Sequence, residues 1–327
     1  MSHGYPRIQP EVGRVSLAAF AMFAIGGLVA QSQPAAIHSS PISARQLQVP
    51  LESGELIWNW QPFPGGDIVV KGTGPRSSLL KLSEGLPAKA LDVGAMIAAP
   101  STSAIAGNWA FVLEERPASL AGHLVNLTSG TSAPLALTGI PYFPAIDGDR
   151  LAILVDRNGS AFLEVYDCLD LHRTHEIPVA VEAPNLSMVV FTAPDRLLIV
   201  ELVTARITPV SLAGGGVVSE KIQLRGVDIG LATQPAVKTI HRGPPSPRLA
   251  LRPNFAMSAI GNYLFAVLSG PALVVGEFSP DGAEVQSHHL DYAREARTVV
   301  DSEKLKVQSN GLFVLGRDGV VRQFERM

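Results

Sequence analysis

Cysteine occurs once in this 327-residue chain, at Cys168, so no internal disulfide framework can staple the fold. Charge is also scarce. Only 17% of residues are Asp, Glu, Lys or Arg, and the formal net charge is -3. The basic excess expected of a nucleic-acid binder is therefore missing. Disordered chains are polar and highly charged, whereas 46% of this one is hydrophobic and its mean hydropathy is +0.23. Aromatic residues, at 6%, are few for the girdles of an outer-membrane barrel. Breakers are abundant instead, with 30 glycines and 25 prolines, which argues against helical bundles and coiled coils. What remains is a β-rich chain with many turns, or a membrane protein.

The first residues read as an address. Arg7 and Arg14 precede an uncharged apolar run from Val15 to Ala30, and small residues follow. A basic region, an apolar core and a small-residue cleavage site make a secretory signal peptide. Cleavage after Ser32 places Ala30 at the -3 position. The expectation is a signal peptide over 1–32, a linker over 33–44 and a single folded domain over 45–327, in an exported protein, periplasmic or extracellular. The alternative is a membrane anchor formed by residues 15–30, although a spanning helix wants about 20 apolar residues and this run is shorter. Processing removes Arg7, Arg14 and Glu11, leaving 24 basic and 28 acidic side chains. Such a surface predicts no nucleic-acid partner and, once the signal is cleaved, no membrane insertion.

A repeat runs through the rest. Six short turns ending in Asp or Asn each precede an apolar run: Asp67, Asn108, Asp149, Asp195, Asn262 and Asn310, spaced by 41, 41, 46, 67 and 48 residues. Gly with Asp or Asn suits a tight hairpin turn. Continuous runs such as RLAILV suit strands buried on both faces. Most units add a second run (GHLVNL, SAFLEVYD, ARITPVSL, ALVVGEF, GVVRQF) and a third, more polar one. A short segment before each turn supplies a fourth strand. Four strands repeating every 40–50 residues are the pattern of propeller blades.

On these units the chain resembles the six-bladed β-propeller superfamily over roughly residues 45–327, with no motif of a named family. The last unit stops at Met327 without an outer strand, while RQLQVPL at 45–51 reads like the outer runs. Closing the ring removes free sheet edges, so Gln46–Leu51 is expected to pair with Val320–Glu325. Rival architectures are a seven-bladed ring, with a degenerate blade hidden in 225–255, and an outer-membrane barrel. The long spacing comes from an insertion loop, 225–253. The resemblance implies that such a connection opens onto the face where ligands usually sit. Lys238, His241, Arg242, Arg248 and Arg252 would give it an anion-accepting rim.

Chemistry is harder to find. His172 and His175 share a loop but lack a third ligand at zinc spacing. His288 and His289 are adjacent, so on a strand they point to opposite faces. Asp147-Gly148-Asp149 lacks the rest of a calcium-loop series, and no G-x-S-x-G elbow occurs. Propellers resembling lactonases hold a divalent cation in the central channel, which requires oxygen ligands from several inner strands. Of the inner candidates here only Asp147 is acidic, and it sits at the turn end. Glu55, Trp58, Asn59 and Trp60 form the one polar-aromatic cluster. Taken together, the sequence predicts a monomeric, exported binding or scaffold module with no catalytic residue, metal or cofactor. Its partner is a protein or small molecule, and its candidate ligand-binding residues are Trp58, Asn59, Trp60, His241, Arg242, Arg248 and Arg252. The alternative is a lactonase-like hydrolase with a channel metal.

Overall fold

The computed structural model describes residues 40–226, 254–290 and 305–325, apart from breaks of at most four residues. Among them the regular structure is almost entirely β, and no helix is long and apolar enough to cross a membrane. The strands form six blades arranged as a propeller. Blade 3 shows the plan: Ile140–Asp147, Arg150–Arg157, Ser160–Asp167 and Arg173–Pro178 pair antiparallel in that order, from the channel outward. The inner strands of the other blades are Leu56–Phe63, Ile97–Ala98 with Ala104–Ala106, Ser187–Ala193, Asn254–Met257 and Leu305–Gln308. Blades 1 and 2 are joined into one sheet, because Ile97 of blade 2 pairs with both Ser77 and Glu114.

The continuous apolar runs follow from packing. Successive residues of a strand point to opposite faces, and here each face meets a different blade. In blade 3, Leu151, Ile153 and Val155 pack with Trp109, Phe111 and Leu113 of blade 2. The intervening Ala152 and Leu154 pack with Leu197 and Ile199 of blade 4. Leu198 and Val200 then turn the other way, toward Tyr263 and Phe278 of blade 5. Ile68 and Val70 face blade 2, while Val69 faces Leu315 and Val321 of blade 6. A second strand buried on both sides cannot alternate apolar with polar, so it reads as an unbroken run.

The turns show why Asp and Asn recur. Gly107 and Gly148 have positive φ (54° and 55°) and their followers do not, which is the arrangement of a two-residue turn with glycine first. The carbonyl of the second turn residue then accepts an N–H from just past the third strand: Leu127 to Asn108, Cys168 to Asp149 and Leu212 to Asp195, each at 2.8 Å. Leu127, Cys168 and Leu212 are thus equivalent positions, and all three are buried in interblade cores. The lone cysteine occupies an apolar packing position. Its thiol is pushed up to about 12 by burial, with Asp149 and Asp167 adding to the effect. Blade 1 departs from the expected pattern, since Gly66 and Asp67 already lie in the strand Gly66–Gly72. Between Asn158 and Gly159, φ values of 56° and 84° give blade 3 a tight second hairpin.

Blade 6 takes its outer strand from the other end of the chain. Ser43–Gln46 pairs antiparallel with Val320–Glu325, Ser43 opposite Gln323 and Gln46 opposite Val320. The expected segment, Gln46–Leu51, overlaps this strand only at Gln46. The pairing begins two residues before the expected domain start at 45. Polar SARQ suits an outer edge better than VPL does. Leu47 makes one more backbone bond, to the Gly319 carbonyl at 2.9 Å, and is then buried between blades 6 and 1. Arg45 locks this strand to blade 1 through a two-pronged pair with Asp67 at 2.6 and 2.7 Å.

Candidate functional site

Four inner strands are irregular where they face the channel. Register shifts fall between Ile57 and Asn59 in blade 1, between Tyr142 and Ala145 in blade 3, and between Phe191 and Ala193 in blade 4. In blade 2, Ala98 faces Leu113 while Ala104 already faces Phe111, so the inner strand carries extra residues there too. Bulges bend a strand and re-aim its side chains. Phe143, inside the blade 3 bulge, has φ 38°. That is a left-handed conformation costing a bulky residue about 1–3 kcal/mol, and such strain concentrates at ligand sites.

These irregular segments surround one cavity of about 320 Å³, at the small end of the roughly 300–1,000 Å³ range of small-molecule sites. Its described lining is Asn59 and Gln61 from blade 1, Ser103–Ala106 from blade 2, Phe143–Asp147 from blade 3, Met188–Phe191 from blade 4 and Lys306 from blade 6. Its surface is mixed, with polar atoms exposed somewhat more than apolar ones. Asn59 is the hub of the polar part and is almost fully buried. Its Nδ2 donates to the Ser103 carbonyl at 2.8 Å and to Ser103 Oγ at 3.1 Å. Its Oδ1 accepts the Trp60 N–H at 2.7 Å and lies 3.5 Å from Lys306 Nζ. Asn59 therefore ties blades 1 and 2 together and lies beside the Lys306 ammonium of blade 6. Gln61 and Asp147 are half-buried, and among the described residues their side chains have no hydrogen-bond or ion-pair partner.

Of the residues singled out from sequence, Asn59 lines this cavity. Trp60 does not. It is fully buried between blades 1 and 6, its indole N–H donates to Asp67 Oδ1 at 2.9 Å, and the Arg45 guanidinium lies 5.9 Å above its ring. Trp58 packs against the core between blades 1 and 2, donating to the Gly72 carbonyl at 3.0 Å. His241, Arg242, Arg248 and Arg252 lie outside the described residues, as does most of the 225–253 insertion. Its first residue, Arg225, is anchored to blade 5 by backbone bonds with Gly282 and Glu284. Lys306 and Gln61 were not anticipated. Each sits in a segment with no turn signal or motif, and only the ring closure brings them together. Asp147, the acidic residue of the inner candidates, is among the residues lining the cavity.

Two other polar clusters lie away from the channel. Glu164 in blade 3 is fully buried and receives Thr138, Arg157, Tyr166 at 2.5 Å and Arg173 at 2.9 Å. Burial alone would raise its pKa. The hydrogen bonds from Thr138, Tyr166 and Arg157, with the Arg157 charge, outweigh that and hold the carboxyl below its ordinary range. In blade 2, His123 Nε2 lies 2.8 Å from Glu114 and its Nδ1 lies 3.4 Å from Ser132 Oγ. This superficially resembles a nucleophile-base-acid row. The Ser132 hydroxyl, however, donates to the Val93 carbonyl at 3.1 Å, so His123 has no proton to take from it. Among the described residues no three His, Cys, Asp or Glu side chains converge as metal ligands.

The fold and channel define a six-bladed β-propeller with a small, walled central cavity. No family model and no curated protein matches the chain. Solved structures do. Virginiamycin B lyase from Staphylococcus aureus, in a catalytically inactive form with quinupristin, is similar at 9% identity and TM-score 0.53, over 87% of this chain and 99% of that one. The selenomethionine-substituted form of the same protein gives 9% identity and TM-score 0.51, with the same coverage. Hydrazine synthase from Kuenenia stuttgartiensis gives 11% identity and TM-score 0.50, over 86% of this chain and 97% of that one. At such low identity the likeness is one of architecture.

Proposed function

We propose that this protein is a small-molecule binding module whose ligand occupies the central channel. The observation that carries the reading is the coincidence of strand irregularities with the cavity wall. The inner strands of four blades depart from regular pairing where they line it. A propeller that only had to fold would gain nothing from a strained Phe143 at that place. This moves the candidate site from the insertion rim into the channel. The hydrolase alternative needs several converging oxygen or imidazole ligands at the channel; the described lining offers one carboxylate, Asp147, beside the oxygens of Asn59, Gln61 and Ser103, and among the described residues no three His, Cys, Asp or Glu side chains converge.

The module is further proposed to be exported and monomeric, with residues 1–32 removed. N-terminal sequencing of the exported protein should give a start at Gln33; a start at Met1 would support the anchor instead. The channel reading is tested by retention of small molecules on the full chain, compared with a variant in which Ala106→Trp fills the cavity. Retention should be lost with the channel.

A further inference from the structure

The channel lining includes two polar side chains that the fold does not use. Gln61 lies two residues after Asn59 in a regularly paired stretch of the blade 1 inner strand, so both belong to the same strand face. The Asn59 carboxamide is committed: its Nδ2 donates to Ser103 and its Oδ1 accepts the Trp60 N–H. Gln61 has no hydrogen-bond partner among the described residues, and neither has the Asp147 carboxylate. Asp147 lines the same cavity from blade 3. Lys306, by contrast, is engaged by Asn59 and by a further contact. Lys306 and Asp147 are the only charged residues of the described lining. The apolar lining residues include Phe143, Val190 and Phe191, and the surface as a whole is mixed.

These groups rank the ligand classes. A purely apolar ligand would strip water from Gln61 and Asp147 and return no hydrogen bond, which is costly. An anion would meet the Asp147 charge, while Lys306 is already engaged. A cation would suit Asp147 but would share a small space with the Lys306 charge. Like-charge juxtaposition of this kind is how sites reject wrong partners. A neutral ligand rich in hydroxyls meets none of these objections. Each hydroxyl both donates and accepts. Two neighbouring hydroxyls donate to the two oxygens of a carboxylate, in bonds strengthened by its charge. Two more match the donor and the acceptor of a carboxamide. The C–H faces between the hydroxyls suit the apolar part of a mixed wall.

We infer that the channel selects a small neutral polyhydroxylated molecule, a monosaccharide or polyol, with its hydroxyls on Asp147 and Gln61. This rests on the channel being the binding site. Calorimetric titration of the full chain tests it with D-glucose, D-galactose, myo-inositol and D-mannitol, against cyclohexanol, hexanol, hexanoate and hexylamine. myo-Inositol and cyclohexanol share a carbon ring, and mannitol and hexanol share a carbon chain, so each pair differs only in the number of hydroxyls. The cyclic and open-chain polyols also distinguish the two kinds of ligand. At least one of the four polyols should bind about tenfold or more tighter than cyclohexanol, hexanol, hexanoate and hexylamine, the scale of one hydrogen bond to a charged group. Asp147→Ala should remove that advantage. Gln61→Leu should weaken binding of the same polyol by a smaller factor, the scale of a neutral hydrogen bond.

Equal or tighter binding of cyclohexanol or hexanol by the unaltered chain would show that hydroxyl number does not matter. Equal or tighter binding of hexanoate or hexylamine would show that the channel takes an ion. Either result overturns the polyhydroxyl inference while leaving a channel site in place. A polyol preference that survives both substitutions would overturn the assignment of these two residues. If no polyol binds although the chain retains other small molecules through its channel, the ligand class is wrong and the channel reading stands. If the Ala106→Trp variant binds the preferred polyol as well as the unaltered chain does, the site is elsewhere and both readings fail. Melting temperatures of the variants, close to that of the unaltered chain, keep loss of binding distinct from loss of fold.

Discussion

Glu164 is the most heavily committed side chain outside the channel. It is buried, yet two arginines, a tyrosine and a threonine converge on it, and Arg157 and Arg173 are also held by Glu176. Removing one partner of a buried pair leaves the others uncompensated. Glu164→Gln should therefore cost about 3 kcal/mol of stability near neutral pH. Because its folded pKa is depressed, Glu164 contributes this stability fully above the ordinary value of 4.5. The contribution is lost as pH falls through the folded value. Urea unfolding of both proteins should show a gap at neutral pH that closes progressively below about pH 4.5. A gap that stays constant into acid would mean that the cost is one of packing. Cys168 illustrates the opposite case. Its pattern neighbours Leu127 and Leu212 explain it as an apolar filler.

The strands were legible in proportion to how far local pattern determines them. RLAILV, SAFLEVYD and ALVVGEF stand out because burial between two blades removes alternation, and the observed strands Arg150–Arg157, Ser160–Asp167 and Ala272–Phe278 follow them closely. The outer strands were blurrier, since one face meets solvent and their polar residues tolerate shifts. This is why the closing strand came out at Ser43–Gln46 and not at Gln46–Leu51. The strand matters at its exposed side and at Arg45, which reaches Asp67. Asp67→Ala would leave the buried Trp60 indole N–H without its acceptor, a loss of about 1–3 kcal/mol. Arg45→Ala, with its half-exposed guanidinium, should cost no more than about 1 kcal/mol. Thermal unfolding should rank Asp67→Ala well below Arg45→Ala. The reverse order would mean that the clasp on the closing strand outweighs the indole bond. The inner-strand bulges had no sequence signature at all, because a bulge depends on what the partner strand and the channel require.

The whole ring explains the composition. Few charges are needed where most sheet faces are covered by neighbouring blades, and many glycines and prolines are needed to turn between short strands. Ring closure also makes the site: Asn59, Asp147 and Lys306 are far apart in the chain, and only the propeller gathers them. The architecture could therefore be read from repeated local patterns, while the cavity could not. The central claim is that this cavity is where the molecule works. The most direct measurement is mass-spectrometric comparison of small molecules retained from a metabolite extract by the full chain and by the Ala106→Trp variant. Gln61→Trp provides a second plug if the first disturbs folding. Compounds retained by the unaltered chain should disappear from both folded plug variants. The same compounds retained by a folded plug variant, or none retained by either protein, would contradict the account.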